Sequence, residues 1–215
     1  MTYAVPIRPQ PVVPVEGSHR AFPVRRILCV GRNYAAHRRE MGGDDRDPPF
    51  FFAKPADAVV PPGADVPYPS ATSDLHHEIE LVVAIGERGA IFGFAVGVDM
   101  TRRDLQAAAK AKGQPWDAAK GFDASAPISA IKPFDGTIPK GRIALSVNGE
   151  VRQQAEIADM IWSVEEILVE AGKLWALEPG DLIYTGTPEG VGAVRRGDTV
   201  TGDVEGVGSI TFKVV

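Results

Sequence analysis

The stretch Asp74-Leu75-His76-His77-Glu78-Ile79-Glu80-Leu81-Val82-Val83-Ala84-Ile85-Gly86 decides how the rest of the chain is interpreted. From residue 78 to residue 85 it is rich in β-branched and aliphatic residues and ends at a glycine, which predicts a β-strand. Side chains of a strand alternate between its two faces. One face of this strand is therefore apolar from Ile79 to Ile85, and the other carries Glu78 and Glu80 side by side.

Two adjacent carboxylates on a partly buried strand need positive charge near them. A hard divalent ion such as Mg²⁺ fits, because it takes oxygen ligands from carboxylates and keeps coordination positions open for substrate. The alternative is a half-exposed strand whose solvated face happens to carry glutamate. A metal site requires a third carboxylate. Asp99 is the candidate, because it stands where a predicted strand (91–100) meets a helix that Thr101 and Asp104 would cap.

Composition narrows the class of protein. A chain of 215 residues is most simply one domain. Its formal net charge of -5 argues against a nucleic-acid or membrane-surface partner. The single cysteine, Cys29, excludes an intrachain disulfide and is expected to pack in the core. There is no apolar run of membrane-spanning length and no signal-peptide pattern, so we expect a cytoplasmic protein.

Glycine and proline are abundant, which favours a loop-rich, β-dominated fold over a helical bundle. Asn148-Gly149 predicts a tight hairpin turn, and Ser163 with Glu166 predicts a capped helix. The prolines at positions 6, 9, 11 and 14 predict an extended N-terminal lead-in over residues 1–24. A strand at 181–184 is followed by a Gly/Thr/Pro loop, 185–192, whose N–H groups and hydroxyls suit a carboxylate ligand.

Two further pairs of residues carry possible chemistry. His37 and Glu40 lie three residues apart on a predicted short helix, where a carboxylate can orient an imidazole that activates water. The alternative is an ordinary surface His–Glu pair. Lys54 and Lys120 are cations in apolar surroundings. Lys54 would either bind an anionic substrate or extend its ammonium group to solvent.

Taken together, these motifs identify a resemblance. Over residues 25–215 the chain resembles the fumarylacetoacetate hydrolase family, in particular its acylpyruvate and fumarylpyruvate hydrolase branch. Six motifs in the same order carry the resemblance: Val30-Gly31-Arg32-Asn33-Tyr34 with His37 and Glu40, Phe52-Ala53-Lys54-Pro55, His76-His77-Glu78-Ile79-Glu80, Val98-Asp99-Met100-Thr101, Ala119-Lys120-Gly121-Phe122-Asp123, and Thr185-Gly186-Thr187-Pro188-Glu189-Gly190-Val191-Gly192.

The resemblance implies an α+β, β-dominated fold, a mixed β-sandwich roll with a short lid helix. It implies a single catalytic domain over residues 25–215 and commonly a homodimer. It also implies Mg²⁺ or Mn²⁺ held by Glu78, Glu80 and Asp99. His37 and Glu40 match the water-activating pair, on the lid helix.

Other positions follow from the same resemblance. Lys120 matches the active-site lysine, and Arg103, Gln106 and Thr187 match positions that hold substrate. The cations available to a second substrate carboxylate are Arg32, Lys54 and Arg103.

The implied activity is hydrolysis of the C–C bond of an acylpyruvate, a small 2,4-diketo acid. Similarity around residues 47–59 favours fumarylpyruvate, a substrate of aromatic-acid breakdown, giving fumarate and pyruvate. The alternatives are oxaloacetate decarboxylation or keto–enol isomerisation on the same scaffold. A remote alternative is a non-catalytic binding protein stabilised by a metal.

Overall fold

The computed structural model describes residues 2–34 and 47–215, and most of its regular structure is β-strand. Its central sheet has six strands, which in spatial order are β11 (Lys132–Pro133), β8 (Ile91–Val98), β7 (Ile79–Ile85), β14 (Asp181–Tyr184), β3 (Arg26–Gly31) and β4 (Phe50–Lys54). The β14–β3 pair is parallel and the other pairs are antiparallel, so the sheet is mixed.

A second sheet of four strands has the order β13 (Glu150–Glu156), β12 (Arg142–Val147), β16 (Thr199–Val204) and β17 (Gly208–Lys213). A three-stranded sheet has the order β15 (Gly192–Val194), β6 (Leu75–His77) and β9 (Thr101–Arg102). Two strand pairs complete the sheets: β1 (Val12–Pro14) with β2 (Ala21–Pro23), and β5 (Val59–Val60) with β10 (Ala126–Pro127).

Helices are few in the described ranges. They are α1 (Arg103–Ala111), α2 (Asp117–Lys120) and α3 (Val164–Leu174), with 3₁₀ turns at Ala56–Ala58, Glu87–Gly89 and Ile157–Asp159. None of the described helices has the length and apolar character needed to span a bilayer. The β-dominated α+β class predicted from the sequence is confirmed.

Strand β7 is buried on both faces, and its side chains alternate between two apolar clusters. Ile79, Leu81, Val83 and Ile85 pack into the cluster that also contains Ile143 of β12 and Val200 of β16. Val82 and Ala84 belong to a second cluster with Ile27, Cys29 and Leu182. The predicted division of faces is confirmed, and the half-exposed strand is wrong because both faces are covered. The two main sheets therefore form the expected sandwich.

Part of the predicted lead-in folds onto this sheet. Strands β1 and β2 form a hairpin, and Val13 and Phe22 enter the second apolar cluster. The backbone of Ile131 donates to the oxygen of Pro14 at 2.9 Å. Residues 12–24 are thus packed structure, and the domain boundary at residue 24 stays a prediction. The predicted lid helix, with His37 and Glu40, lies outside the described residues.

Two of the three local sequence signals behave as expected. Asn148 and Gly149 have φ angles of 53° and 83°, as a type I′ hairpin turn requires. The Ser163 and Glu166 side chains bond each other's backbone N–H at the start of α3. The third signal is wrong, because Thr101 does not cap α1. Its hydroxyl instead accepts from Lys120 at 2.6 Å, and the helix begins at Arg103.

A buried carboxylate ties the start of β3 to β14. Asp181 is fully buried and accepts from Arg25 at 2.8 Å, from Arg26 at 3.0 and 2.9 Å, and from the backbone of Glu178 at 3.0 Å. Burial alone would raise the pKa of Asp181, but the hydrogen bonds from Arg26, Glu178 and Arg25 hold its pKa below the ordinary value. Its ionised form therefore stabilises the parallel β14–β3 pair.

We expect Asp181→Asn to lower the free energy of unfolding at pH 7 by about 2 kcal/mol, because charge-assisted hydrogen bonds of a buried group are lost. A carboxyl with a depressed folded pKa stabilises above its unfolded pKa, and that contribution disappears as pH falls through the folded value. Denaturant unfolding should therefore show the gap between wild type and variant closing at acidic pH. The control is Asp203→Asn, which removes an exposed pair with Arg142 and should cost less than about 1 kcal/mol. Equal losses for both variants would contradict the prediction.

Candidate functional site

Three buried carboxylates meet where β7 begins and β8 ends. Glu78, Glu80 and Asp99 are 6%, 1% and 0% exposed, and one oxygen of each lies within 4.8 Å of the others. The backbone N–H of Asp99 donates to the backbone carbonyl oxygen of Glu78 at 2.8 Å. The antiparallel pairing of β7 and β8 thus brings the third carboxylate to the Glu-x-Glu pair.

Three cations contact this cluster. Lys120 donates to Glu78 at 2.7 Å and to Asp99 at 2.6 Å. Lys54 lies 2.8 Å from the second oxygen of Asp99, and Arg103 donates to the second oxygen of Glu78. Burial lowers the pKa of Lys120, but the charges of Asp99 and Glu78 outweigh it and keep its pKa above the usual value. Lys120 is therefore a buried ammonium ion.

Glu80 is the carboxylate whose buried negative charge is least offset by positive groups in the described structure. Its contact in the described part of the chain is the backbone N–H of Gly186 at 2.6 Å, and no ion pair is found for it there. Burial raises the pKa of Glu80 well above its ordinary value, and the charges of Asp99 and Glu78 raise it further. Neither the Gly186 N–H nor the more distant Lys120 offsets this. An additional cation beside Glu80 would remove that cost.

The donor set fits a hard divalent ion. All three groups are carboxylates, which suit Mg²⁺ and Mn²⁺, and they are held by adjacent strands of a sheet that is buried on both faces. The Lys120 ammonium group contacts two of the three. Positive charge is therefore already accommodated between Glu78 and Asp99.

Most of the residues predicted from the sequence line one pocket. Its lining includes Glu78, Glu80, Arg32, Arg103, Gln106, Lys120, Thr187, Phe52 and Trp116. Arg103 also bonds Gln106, so these two side chains hold each other in place. His37 and Glu40 are outside the described residues, and the structure does not place them relative to this pocket.

Lys54 lies beneath the pocket rather than in its wall. The residue is 1% exposed, and its ammonium group contacts Asp99, the backbone oxygen of Lys120 and the oxygen of Met100, the last at 3.1 Å. The ammonium group pairs with one oxygen of Asp99, so the solvent-exposed position suggested by the sequence is wrong. Contact of Lys54 with a substrate stays a prediction.

Among the cations that line the pocket, Arg32 has the fewest partners within the described part of the chain. Its backbone has a φ of 61°, the left-handed region that side-chain-bearing residues rarely adopt. Its side chain lines the pocket, and its buried Nε has no hydrogen-bond partner in ranges 2–34 and 47–215. The other wall cations, Arg103 and Lys120, already contact carboxylates of the protein.

Two polar residues to which the sequence assigned no role in the site hold the 185–192 loop. Asn33 donates to the oxygens of Trp162 and Thr185 at 3.0 and 2.8 Å and accepts from the Trp162 backbone at 2.8 Å. Gln153 donates to Thr187 and to the oxygen of Pro188, both at 2.8 Å. The available signal was a polar side chain beside or inside a predicted strand, which by itself does not indicate burial.

Comparisons with known proteins agree with this geometry. Residues 26–215 match the model of the fumarylacetoacetate hydrolase C-terminal family. A fumarylpyruvate hydrolase of Ralstonia is 46% identical over 176 residues, covering 77% of this chain and 92% of that protein. The mitochondrial oxaloacetate tautomerase of Homo sapiens is 43% identical over 203 residues, covering 88% and 91%.

A solved structure shares the whole fold. The fumarylpyruvate hydrolase of Pseudomonas aeruginosa, crystallised with Mn²⁺ and pyruvate, superposes with a TM-score of 0.95 at 46% identity. The match covers 100% of this chain and 99% of that one. Family model, sequence relatives and fold agree over nearly all of the chain, which therefore belongs to the fumarylacetoacetate hydrolase family.

Proposed function

We propose that this protein is a Mg²⁺- or Mn²⁺-dependent hydrolase that cleaves the C–C bond of an acylpyruvate, with fumarylpyruvate as its substrate. The observation that carries the proposal is the buried Glu78/Glu80/Asp99 cluster, of which Glu78 and Glu80 line a pocket that is also lined by cations. Such a pocket suits a small acid with several carbonyl and carboxylate oxygens. The Ralstonia and Pseudomonas aeruginosa relatives, both named fumarylpyruvate hydrolases, support this substrate class.

Glu78, Glu80 and Asp99 would hold the ion, which when bound supplies a Lewis acid that polarises the 2-oxo acid and orients it. Lys54 forms an ion pair with one oxygen of Asp99, at 2.8 Å. We therefore infer that Lys54 positions a metal ligand. Arg103 performs the same task for Glu78. Their positive charges limit the repulsion within the cluster.

Hydrolysis adds one water molecule across the bond between C3 and C4. The acyl carbon gains the hydroxyl group and leaves as a carboxylic acid, and C3 gains a proton to give pyruvate. His37, oriented by Glu40, would take the proton from water, an assignment that rests on sequence. Lys120 would stabilise the oxyanion that develops at C4, since its ammonium group lies in the pocket wall beside the carboxylates.

Oxaloacetate chemistry is the second candidate, because the human relative named for tautomerase activity is nearly as similar as the hydrolase. Keto–enol isomerisation and decarboxylation use the same chelated 2-oxo acid but no attacking water. A non-catalytic metal-stabilised protein is the third reading, and it would bind the ion without releasing pyruvate. The predicted homodimer, cytoplasmic location and role in aromatic-acid breakdown stay predictions.

Pyruvate release from fumarylpyruvate, acetylpyruvate and oxaloacetate, each with Mn²⁺ and with a chelator, tests the activity. We expect metal-dependent release that is fastest with fumarylpyruvate. His37→Ala should slow it by about 10²–10⁴-fold, the usual contribution of a general base. His19→Ala, at an exposed histidine, is the control. Full hydrolytic activity of His37→Ala would remove the water-activating pair from the proposal. Pyruvate release from oxaloacetate alone would favour the second candidate, and a separate absorbance assay of the enol form of oxaloacetate detects tautomerase activity.

Glu80→Gln tests the metal site through stability. The pKa of the Glu80 carboxyl is raised by folding, so its ionised form destabilises the native state above the unfolded pKa. With a chelator at pH 8 the variant should unfold at the same temperature as wild type or higher. Mn²⁺ at a hundredfold excess over its Kd should stabilise wild type by about 2.7 kcal/mol, and the variant much less.

The exposed Glu87→Gln is the matched control and should keep the full response to Mn²⁺. Protons compete with the ion for raised-pKa carboxylates, so the affinity of wild type for Mn²⁺ should weaken as pH falls. An undiminished Mn²⁺ response in Glu80→Gln, measured by differential scanning calorimetry, would exclude Glu80 as a ligand.

Arg32 is the cation we assign to the distal carboxylate of the fumaryl group, since its Nε lacks a partner in the described ranges. Arg32→Met should lower kcat/KM for fumarylpyruvate by about 10–100-fold, the loss of a charge-assisted hydrogen bond. Acetylpyruvate, which has no second carboxylate, should be nearly unaffected. Arg88→Met is the control, because Arg88 is exposed and has a similar φ of 55°. An equal loss for both substrates would show that Arg32 does not bind the distal carboxylate of the fumaryl group.

A further inference from the structure

Gln153 connects the second sheet to the loop that lines the pocket. It lies on β13 and is 1% exposed, and its side-chain amide makes four hydrogen bonds in the described structure. Its oxygen faces the backbone N–H of Ile79 at 3.1 Å and Nδ1 of His77 at 2.9 Å. Its nitrogen faces the oxygen of Pro188 and the hydroxyl of Thr187, both at 2.8 Å.

The surroundings fix which way this amide points. The backbone N–H of Ile79 can only donate, so the atom facing it must be the amide oxygen. The carbonyl of Pro188 can only accept, so the atom facing it must be the NH₂ group. The same oxygen can only accept, so Nδ1 of His77 must carry a hydrogen and donate to it. A flipped Gln153 would place like groups together at both ends.

This orientation determines whether the Thr187 hydroxyl donates or accepts its hydrogen bond with Gln153. One N–H of Gln153 bonds Pro188 and the other bonds the Thr187 hydroxyl, which is therefore an acceptor on that side. A hydroxyl that accepts from a neighbour keeps its own hydrogen for another partner. Thr187 lines the same pocket as Glu80 and Arg103 and is 3% exposed. Its hydrogen is available to an oxygen atom within that pocket.

We propose that Gln153 is a positioning residue that commits the Thr187 hydroxyl to donating a hydrogen bond to a carboxylate or carbonyl oxygen of the bound substrate. This inference rests on the proposed function, since it takes an oxygen-rich 2-oxo acid as the ligand. The neighbouring N–H of Gly186 is used by Glu80. The same loop thus presents one donor to the predicted metal ligand and, through Gln153, a second donor to the substrate.

A double-mutant cycle tests the proposal. Gln153→Glu keeps an oxygen for Ile79 and His77 but replaces the NH₂ group with an acceptor, and Thr187→Val removes the hydroxyl without changing the shape of the side chain. Two quantities are measured: kcat/KM for fumarylpyruvate, and the Kd of pyruvate with Mn²⁺ by calorimetry. Each single variant should weaken at least one quantity by about tenfold. The double variant should be no worse than Thr187→Val alone, because both changes remove the same hydrogen bond.

Three controls separate positioning from a role in folding. Thr187→Ser keeps the hydroxyl and should stay within about threefold of wild type in both quantities. Gln154→Glu, the same change at the adjacent exposed residue, should leave both quantities unchanged. Thermal unfolding of every variant shows whether any loss reflects stability. If Gln153→Glu does not fold, Gln153→Met takes its place, and the comparison of Thr187→Val with Thr187→Ser still decides whether the hydroxyl is used.

Losses that multiply in the double variant, or a Thr187→Val variant equal to wild type in both quantities, would overturn the proposal. If the variants show coupled losses in pyruvate affinity but the wild type does not hydrolyse acylpyruvates, the proposed hydrolase activity is wrong and the role of Gln153 is retained. Hydrolysis by wild type with uncoupled losses would do the reverse. A wild type that neither binds pyruvate with Mn²⁺ nor turns over fumarylpyruvate would overturn both.

Discussion

Burial of three carboxylates in one place is the constraint on which the rest of this structure depends. Glu78, Glu80 and Asp99 are nearly inaccessible to water and close enough to share one cation. Like charges in such surroundings are costly unless positive groups are near. Lys54, Lys120 and Arg103 provide that charge for two of the three, which leaves Glu80 as the group that gains most from a bound ion.

The central sheet makes this burial possible. Strand β7 is covered on both faces, and Glu78 and Glu80 lie at its start, where they are buried. The pairing of β7 with β8 places Asp99 beside them. The 185–192 loop contributes the Gly186 N–H that Glu80 accepts and the Thr187 side chain in the pocket lining. Asn33 and Gln153 reach that loop from different parts of the chain, and both do so through amide groups that donate and accept at once.

Much of this arrangement follows from local pattern. The alternation of β7, the hairpin at Asn148-Gly149 and the cap of α3 each depend on residues that are close in sequence. The third carboxylate was also predictable, because it ends a strand before a helix. Where a local signal misled, a distant group intervened. Thr101 matches a helix cap, but the ammonium group of Lys120 takes its hydroxyl.

By itself, the sequence determined which residues are strands, which carboxylates can meet and which family the chain resembles, because alternation and short motifs act over a few residues. Only the tertiary structure decided the contacts between residues far apart in the chain. It placed Lys54 under Asp99 and packed the N-terminal hairpin on the core. A register shift between β12 and β13 pairs Gln153 with Leu145 and Val151 with Ser146, so simple alternation does not reveal that Gln153 faces inward. These contacts depend on how segments that are distant in sequence pack and pair their charges, and no single segment contains that information.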